Sequence, residues 1–162
     1  GAQNLNLLLQ QSLNPGDVPI KYGGTVFRLH DKVMQIRNNY DKNVFNGDIG
    51  TIVQIDREDK TLIINFDGNK VQYDVSELDE VVLAYATTVH KSQGSEYKIV
   101  VAPFTIQHYI MLQRNLLYTC LTRAKKAFVL VGTKKAVRIA VSNSKIRQRN
   151  TLLAKRLASS AV

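Results

Sequence analysis

Two polar stretches in the second half of the chain carry side chains suited to phosphate and sugar chemistry. The first, residues 87–97, follows a short apolar run and combines hydroxyl, imidazole, ammonium, amide and carboxyl groups. Gly94 and Ser95 allow backbone N–H groups to approach a phosphate closely, and the Glu96 carboxylate is able to accept from a sugar hydroxyl. The structural alternative is a capped helix end, with Gly94 as the C-cap and Glu96 as a surface partner of Lys98.

The second stretch, residues 117–126, contains an arginine suited to phosphoryl transfer. If the segment is helical, Thr119, Thr122, Arg123 and Lys126 share one face. The planar cation of arginine suits a phosphate that gains charge during transfer. The alternative is a basic helix end that complements the helix dipole.

The charge of the chain is distributed unevenly. Residues 1–89 carry 8 basic and 12 acidic side chains, whereas residues 90–162 carry 14 basic side chains and one acid, Glu96. Such a basic half repels itself unless a polyanion lies nearby. Nucleic acid or nucleotide phosphate is therefore the predicted partner, with a ribosome-like or merely solvated basic surface as the alternative.

Composition excludes several classes of protein. No run of about 18 apolar residues is present, so a transmembrane helix is excluded, and the N-terminus does not resemble a secretory signal. The single cysteine, Cys120, cannot form an internal disulfide. We therefore expect a protein without membrane association in a reducing, cytoplasmic compartment.

The first half of the chain is predicted to hold a helix and then a set of short strands. Residues 4–13 show leucines at helical spacing, and Asn14-Pro15-Gly16 ends that helix. Strands are predicted at residues 25–29 and 32–36, followed by a polar loop. Strands at residues 49–55, 61–66 and 71–75, with an Asp67-Gly68 hairpin turn, predict a small antiparallel barrel of SH3-like size.

The second half is predicted to alternate short apolar strands with helices. The predicted strands are residues 81–83, 99–102 and 128–131, all buried, and Pro103 ends the second of them. The predicted helices are residues 84–93, 113–125, 134–141 and 148–157. This alternation indicates an α/β fold with a parallel sheet covered on both faces, into which the barrel is inserted.

Both polar stretches resemble motifs of superfamily-1 DNA helicases. Residues 88–96 (TVHKSQGSE) resemble motif V and residues 118–125 (YTCLTRAK) resemble motif VI, in order and about 25 residues apart. Both motifs are similar to those of the RecD-like branch, which includes the exodeoxyribonuclease V alpha subunit. Residues 5–15 resemble the segment after motif IV of that branch, and residues 31–50 resemble the start of its SH3-like insert.

The resemblance implies a domain organisation and a partner for each motif. Residues 1–44 and 79–162 would form the second of two RecA-like motor domains, and residues 45–78 the SH3-like insert. Arg123 would be the catalytic arginine finger that reaches the γ-phosphate of ATP. The remaining nucleotide contacts would come from motif V: Gln93, Gly94, Ser95 and Glu96.

Single-stranded DNA is the second implied partner, bound across the motor domains. Thr88, His90 and Lys91 of motif V would contact its backbone. A short loop joins these residues to the nucleotide contacts, so nucleotide binding would also move the DNA contacts. His90 has no second His or Cys at metal-ligand spacing, so a phosphate contact is favoured over a metal site.

Residues before the insert add further candidates. Asn39, Tyr40 and Phe45 are assigned to DNA binding, because aromatic rings stack on the bases of single strands. The alternative for Tyr40 and Phe45 is packing against the insert. The cations of residues 134–138 and 147–149 are read as a solvated helix face rather than as phosphate contacts.

The sequence lacks the Gly-x-x-x-x-Gly-Lys-Ser/Thr loop that cradles phosphates. ATP and Mg²⁺ would therefore be held mainly by an upstream RecA-like domain, and this chain by itself is expected not to hydrolyse ATP. Its expected partners are that domain, single-stranded DNA and, in some relatives, nuclease-helicase subunits. The alternative functions are a non-catalytic nucleic-acid-binding module and a subunit of a nuclease-helicase complex.

Overall fold

The structure is a computed structural model that describes residues 1–16, residues 19–144 and Arg156. The chain divides into two compact units, Gly1–Lys98 and Ile99–Val162. The predicted helix at residues 148–157, apart from Arg156, and the cations Arg147 and Arg149 lie outside the described residues. No described helix has the length and apolarity needed to cross a membrane.

The first unit begins with a helix whose buried face is polar. Helix α1 (Ala2–Leu13) matches the predicted helix and ends at the C-cap Asn14. Its buried side chains are Asn6 and Gln10, whereas Leu8 is 56% and Leu13 is 67% exposed. The helix prediction is confirmed, but the leucine stripe does not face the core.

The chain then forms a hairpin that the sequence analysis predicted only in part. Strands β1 (Pro19–Tyr22) and β2 (Thr25–Arg28) pair antiparallel. Gly23 and Gly24 join them with φ angles of 52° and 81°, the left-handed conformation that tight hairpin turns require. β1 is not predicted from the sequence because it is only four residues long and begins with a proline, which is uncommon in strands.

A five-stranded antiparallel sheet forms the rest of the first unit, in the order β6-β5-β4-β3-β7. Its strands are β3 (Lys32–Gln35), β4 (Ile49–Asp56), β5 (Thr61–Phe66), β6 (Asn69–Asp74) and β7 (Val81–Leu83). The predicted Asp-Gly turn joins β5 to β6, since Asp67 and Gly68 have φ angles of 48° and 102°. A 3₁₀-helix (Val75–Glu80) leads from β6 to β7.

Alternation along the strands forms the core of this unit. In β5 every second side chain is buried, as expected for a strand with one face against the core. Phe27, Val33, Ile52, Leu62 and Ile64 are each at most 1% exposed. The antiparallel sheet contains β3 and β7 in addition to the three strands within residues 45–78. The predicted boundaries of the insert at residues 45 and 78 stay a prediction.

The second unit combines strands with helices. Strand β8 (Tyr97–Phe104) pairs with β9 (Ala124–Gly132), and between them lie a 3₁₀-helix (Ile106–Met111) and α2 (Arg114–Thr122). A strand, a helix and a second strand in this order form the connection from which parallel sheets are built. Helix α3 (Lys134–Ser142) follows, with the side chain of Thr133 as its N-cap.

Four predictions for the second half are corrected. Residues 84–93 do not form a helix but a series of turns. Strands β8 and β9 are not fully buried, since Val101 is 62% and Val131 is 53% exposed, and Pro103 lies inside β8 rather than ending it. Helix α2 ends at Thr122 and Lys126 belongs to β9, so Lys126 does not share a helix face with Arg123.

Candidate nucleic-acid and nucleotide interface

The segment that leads into the first polar stretch is held by helix α1. The Asn6 amide clamps the backbone of Ala86: its Nδ2 donates to the Ala86 carbonyl at 2.7 Å, and its Oδ1 accepts from the Ala86 N–H at 2.9 Å. Two steps earlier in the chain, the Ala84 N–H donates to the Lys32 carbonyl at 2.8 Å. The backbone is therefore fixed directly before the candidate site begins at Thr87.

A buried carboxylate at Asp31 connects the same elements. Asp31 is 0% exposed, and its oxygens accept four hydrogen bonds. The donors are Gln10 Nε2 at 2.5 Å, Asn14 Nδ2 at 2.7 Å, Arg28 N–H at 2.7 Å and Tyr85 hydroxyl at 2.8 Å. Burial and the bond to Asp31 raise the pKa of Tyr85 to about 12, so the phenol stays protonated as a donor at neutral pH.

The first polar stretch folds as consecutive turns. The Ser92 N–H donates to the Thr88 carbonyl at 3.1 Å, and the Gln93 N–H donates to the His90 carbonyl at 3.3 Å. Ser92 is 6% exposed, and its hydroxyl donates to the Val89 carbonyl at 2.7 Å. A serine that bonds a carbonyl three residues back competes with a regular helix, and the β-branched residues 87–89 also disfavour one.

These turns leave the candidate DNA contacts on the surface. Thr88, His90 and Lys91 are exposed, and the Lys91 N–H donates to the Thr88 hydroxyl oxygen at 3.4 Å. The structure thus brings the three predicted side chains together on one short turn. The arrangement is able to present an ammonium, an imidazole and a hydroxyl to a phosphate backbone.

The four predicted nucleotide contacts follow directly in the chain. Gln93, Gly94 and Glu96 are exposed and Ser95 is half-buried. Gly94 has a φ of 88°, which other residues rarely adopt. A carboxamide, a hydroxyl and a carboxylate in sequence fit the hydroxyls and phosphates of a nucleotide. The Ser95 N–H, however, donates to the Ser92 carbonyl at 3.2 Å, so this amide is already used.

Arg123 lies at the C-terminal end of α2, in the second unit. It is the C-cap, its N–H donates to the Cys120 carbonyl at 3.2 Å, and its side chain is half-buried. The neighbouring hydroxyls of Thr119 and Thr122 donate to helix carbonyls at 2.8 and 3.0 Å. Burial raises the pKa of the Cys120 thiol, which keeps the thiol protonated beneath the helix.

The third group of predicted residues lies on a loop of the first unit. Tyr40 is 76% and Phe45 is 41% exposed, and their ring centroids are 5.9 Å apart at an interplanar angle of 75°. This exposure does not match packing of Tyr40 against the barrel, whereas more than half of Phe45 is covered. The Asn39 side chain is engaged within the protein, since its Nδ2 donates to Glu80 Oε2 at 3.3 Å and its Oδ1 accepts from the Lys42 N–H at 3.2 Å.

A metal site has no support among the described residues. No group of three or more His, Cys, Asp or Glu side chains in that part of the chain is placed to hold a metal ion.

The residues that hold these segments in place are not predicted from the sequence. The segment before the first polar stretch is fixed by Asn6, Asp31 and Tyr85. The loop of residues 39–45, here called the aromatic loop, is fixed by Lys42 and Glu80. One signal was present: amides at Asn6, Gln10 and Asn14 recur every four residues, which places them on one helix face. The contacts of Asp31 and Glu80 join residues distant in the chain and have no comparable sequence signal.

Two family descriptions match consecutive parts of the chain. Residues 5–66 match the "ATP-dependent RecD-like DNA helicase SH3 domain", and residues 83–131 match the "UvrD-like helicase C-terminal domain". The first covers the elements from α1 to β5. The second covers both candidate polar stretches, including Thr88, Glu96 and Arg123.

Curated relatives agree with these families. The ATP-dependent RecD2 DNA helicase of Deinococcus radiodurans is 38% identical over 157 residues, which are 97% of this chain and 22% of that protein. The RecBCD enzyme subunit RecD of Mycobacterium tuberculosis is 33% identical over 110 residues, 68% of this chain and 19% of that protein. The chain thus spans about a fifth of the length of these relatives.

Solved helicase structures share the fold at low sequence identity. A Bacteroides Pif1 helicase in complex with ADP-AlF3 and ssDNA matches 98% of this chain and 43% of its own, with a TM-score of 0.59 and 15% identity. A structure described as DNA unwinding at forked dsDNA by two coordinating Pif1 helicases matches 83% and 33%, with a TM-score of 0.53 and 20% identity. The predicted mixed α/β, RecA-like fold class is confirmed. The chain belongs to the RecD-like family of superfamily-1 DNA helicases and corresponds to their C-terminal part.

Proposed function

We propose that this chain is the C-terminal motor part of an ATP-dependent DNA helicase that moves 5′ to 3′ in DNA repair and recombination. The observation that carries the proposal is the 38% identity to a RecD2 DNA helicase over 97% of the chain. The polarity rests on the resemblance to the RecD-like branch. The proposed compartment is the cytoplasm.

Arg123 is the proposed arginine finger. A guanidinium offers several donors in a rigid plane and stays charged at any physiological pH. Such a cation is worth about 10³- to 10⁵-fold in turnover in related phosphoryl-transfer enzymes. Its position as the C-cap of α2 fixes the Cα, and the proposed role requires the guanidinium to reach the γ-phosphate of the bound nucleotide. ATP and Mg²⁺ are held mainly by an upstream RecA-like domain, and Gln93, Gly94, Ser95 and Glu96 complete the nucleotide contacts.

Single-stranded DNA is the proposed substrate of the surface formed by Thr88, His90 and Lys91. Their exposure on one turn suits contacts to successive phosphates. Tyr40 and Phe45 are proposed to stack on bases, which supports the strand without sequence preference. Asn39 is proposed to hold the loop in shape, because the Nδ2 and the Oδ1 of its side chain are both hydrogen-bonded to the protein.

A second candidate function is a subunit of a nuclease-helicase complex. It is supported by the RecBCD subunit RecD relatives, at 33% identity in Mycobacterium tuberculosis. The same nucleotide and DNA contacts would operate there, and the difference lies in the partners. Unwinding by the full-length protein without added subunits distinguishes the stand-alone enzyme from the complex subunit.

The 162-residue chain itself provides the test of the proposal. Single-stranded oligonucleotide binding is measured by fluorescence anisotropy between 50 and 200 mM salt, the range over which phosphate contacts weaken markedly. ATP turnover is measured with and without the same DNA. The expected result is salt-sensitive binding without turnover. DNA-stimulated ATP hydrolysis by this chain would sink the proposal that the phosphate-cradling loop belongs to another domain.

A further inference from the structure

The aromatic loop is fixed at both ends by its own backbone. Asn39 and Val44 exchange hydrogen bonds, from the Asn39 N–H to the Val44 carbonyl at 2.8 Å and in return at 3.1 Å. The Phe45 N–H donates to Asp48 Oδ2 at 2.8 Å. Val44 is 0% exposed and anchors the closing residue in the core. The backbone that carries Tyr40 is therefore held in one conformation by these contacts.

The side chain of Lys42, inside this loop, is directed toward the protein. Its Nζ lies 2.7 Å from Glu77 Oε2 and 4.3 Å from the centroid of the Tyr73 ring. Only 22% of the side chain is accessible. Tyr73 is itself 0% exposed, and its hydroxyl donates to Gln35 Oε1 at 2.9 Å. The ammonium thus has a carboxylate and an aromatic face as partners.

The backbone of Lys42 is bonded as well. Its N–H donates to Asn39 Oδ1 at 3.2 Å, and its carbonyl accepts from Asn69 Nδ2 at 3.3 Å. Asn39 is in turn tied to Glu80, which also accepts from Gln35 Nε2 at 3.0 Å. Side chain and backbone therefore connect the loop to β3, β6 and the 3₁₀-helix at residues 75–80.

We propose that Lys42 is a positioning residue that holds the Tyr40–Phe45 pair in place for base stacking, and that it is not a phosphate contact. A lysine beside two exposed rings in a DNA-binding protein would ordinarily be assigned to phosphate. To reach one, Lys42 would have to leave Glu77 and the Tyr73 ring. The proposal rests on the proposed function, because it requires the loop to contact single-stranded DNA.

The Lys42–Glu77 pair also affects the carboxylate. The hydrogen bond from Lys42 is the main reason that the pKa of Glu77 lies below its ordinary value of 4.5. Glu77 therefore remains ionised at neutral pH and holds the ammonium there. The Glu77 carboxylate also accepts from the Asp74 N–H at 2.9 Å as part of a capping box, a role that glutamine also fills.

The test measures binding of an oligonucleotide with a 2-aminopurine base to the 162-residue chain at several salt concentrations. The variants are Tyr40→Ala, Lys42→Met, their double mutant, Lys42→Arg and Glu77→Gln. Tyr40→Ala is expected to weaken binding about 5- to 140-fold, the loss of one stacked base. Lys42→Met is expected to weaken it at least about twofold and to reduce 2-aminopurine quenching.

Three readouts separate positioning from a phosphate contact. With positioning, the salt slope of Lys42→Met equals that of the unsubstituted chain, the double mutant binds no more weakly than Tyr40→Ala, and Lys42→Arg restores quenching. Glu77→Gln also weakens binding, although it removes a negative charge. A phosphate contact instead lowers the salt slope by about 0.7 and makes Glu77→Gln bind more tightly, since the ammonium is released. Either of those results overturns the inference.

The failure of the proposed function has a different signature. If Tyr40→Ala binds as tightly as the unsubstituted chain, the loop does not contact DNA, and the stacking role proposed for Tyr40 and Phe45 falls together with the positioning role of Lys42. If Tyr40→Ala weakens binding while Lys42→Met leaves affinity and quenching unchanged, only the positioning role is overturned. Thermal unfolding of each variant confirms that the folded fraction is the same, as expected for loss of one partly exposed ion pair.

Discussion

Replacing Asp31 with asparagine should remove stability out of proportion to so small a change. The substitution keeps the side-chain volume and replaces one carboxylate oxygen with an NH₂ group. Asp31 is 0% exposed, and each of its oxygens accepts two hydrogen bonds. Oδ2 accepts from Gln10 and the Arg28 N–H, and Oδ1 accepts from Asn14 and Tyr85.

The expected magnitude follows from the bonds that are lost. One NH₂ group faces two donors, so two hydrogen bonds to a charged acceptor disappear, at about 1.5–3 kcal/mol each. Gln10 and Asn14 keep second acceptors, the carbonyls of Val26 and Leu29, and the Tyr85 hydroxyl can turn to accept. Relief from burying a charge offsets a further part. We therefore expect a loss of about 2–4 kcal/mol in the free energy of unfolding.

Urea unfolding followed by circular dichroism measures this loss, with Asp79→Asn as the matched control. Asp79→Asn makes the same chemical change on the surface. There the Asp79 carboxylate pairs with Arg37 at 2.7 Å, and its side chain is 42% exposed. An exposed pair is worth about 0–1 kcal/mol. Equal losses for the two substitutions, or a gain for Asp31→Asn, would refute the reasoning that Asp31 holds α1, β3 and the Tyr85 segment together.

Two further predictions concern the surface of the first unit. The pKa of Glu77 is lowered in the folded state, so its contribution to stability is present above about pH 4.5 and is lost as pH falls through the lowered value. Acid unfolding of Glu77→Gln should therefore show a smaller decrease in stability below pH 4.5 than that of the unsubstituted chain. His90→Asn should weaken single-stranded DNA binding measured by anisotropy, whereas His30→Asn should not, although both histidines are exposed. His30 has a φ of 69°, which asparagine tolerates, and equal effects of the two substitutions would contradict the role of His90.

Local chemistry explains which parts of the fold were predictable. The Asp67-Gly68 turn was predicted because few residues adopt two successive positive φ angles. The C-terminal end of α1 and both bounds of β5 were predicted because their periodicity is clear. The buried face of α1 was not, since leucine spacing shows that one face is apolar but not that this face meets the core.

Tertiary contacts explain the rest. The backbone at Ala86 is held by Asn6, which lies 80 residues away in the chain, so no local pattern specifies that part of the segment. The candidate residues could be assigned from motif order because motifs are local. Their supports could not, since Asp31, Lys42 and Glu80 bind partners that lie 35 or more residues away in the chain.

Arg123 is proposed to stabilise charge on the phosphate during transfer. The most direct test compares the affinity of the full-length protein for ADP alone and for ADP with aluminium fluoride, which resembles the transferring phosphoryl group. In Arg123→Ala, affinity for ADP should stay within about twofold, while affinity for the aluminium fluoride complex should fall on the order of 10³-fold, as expected for loss of an arginine finger. Equal affinities of Arg123→Ala and the unsubstituted protein for the aluminium fluoride complex would contradict the account.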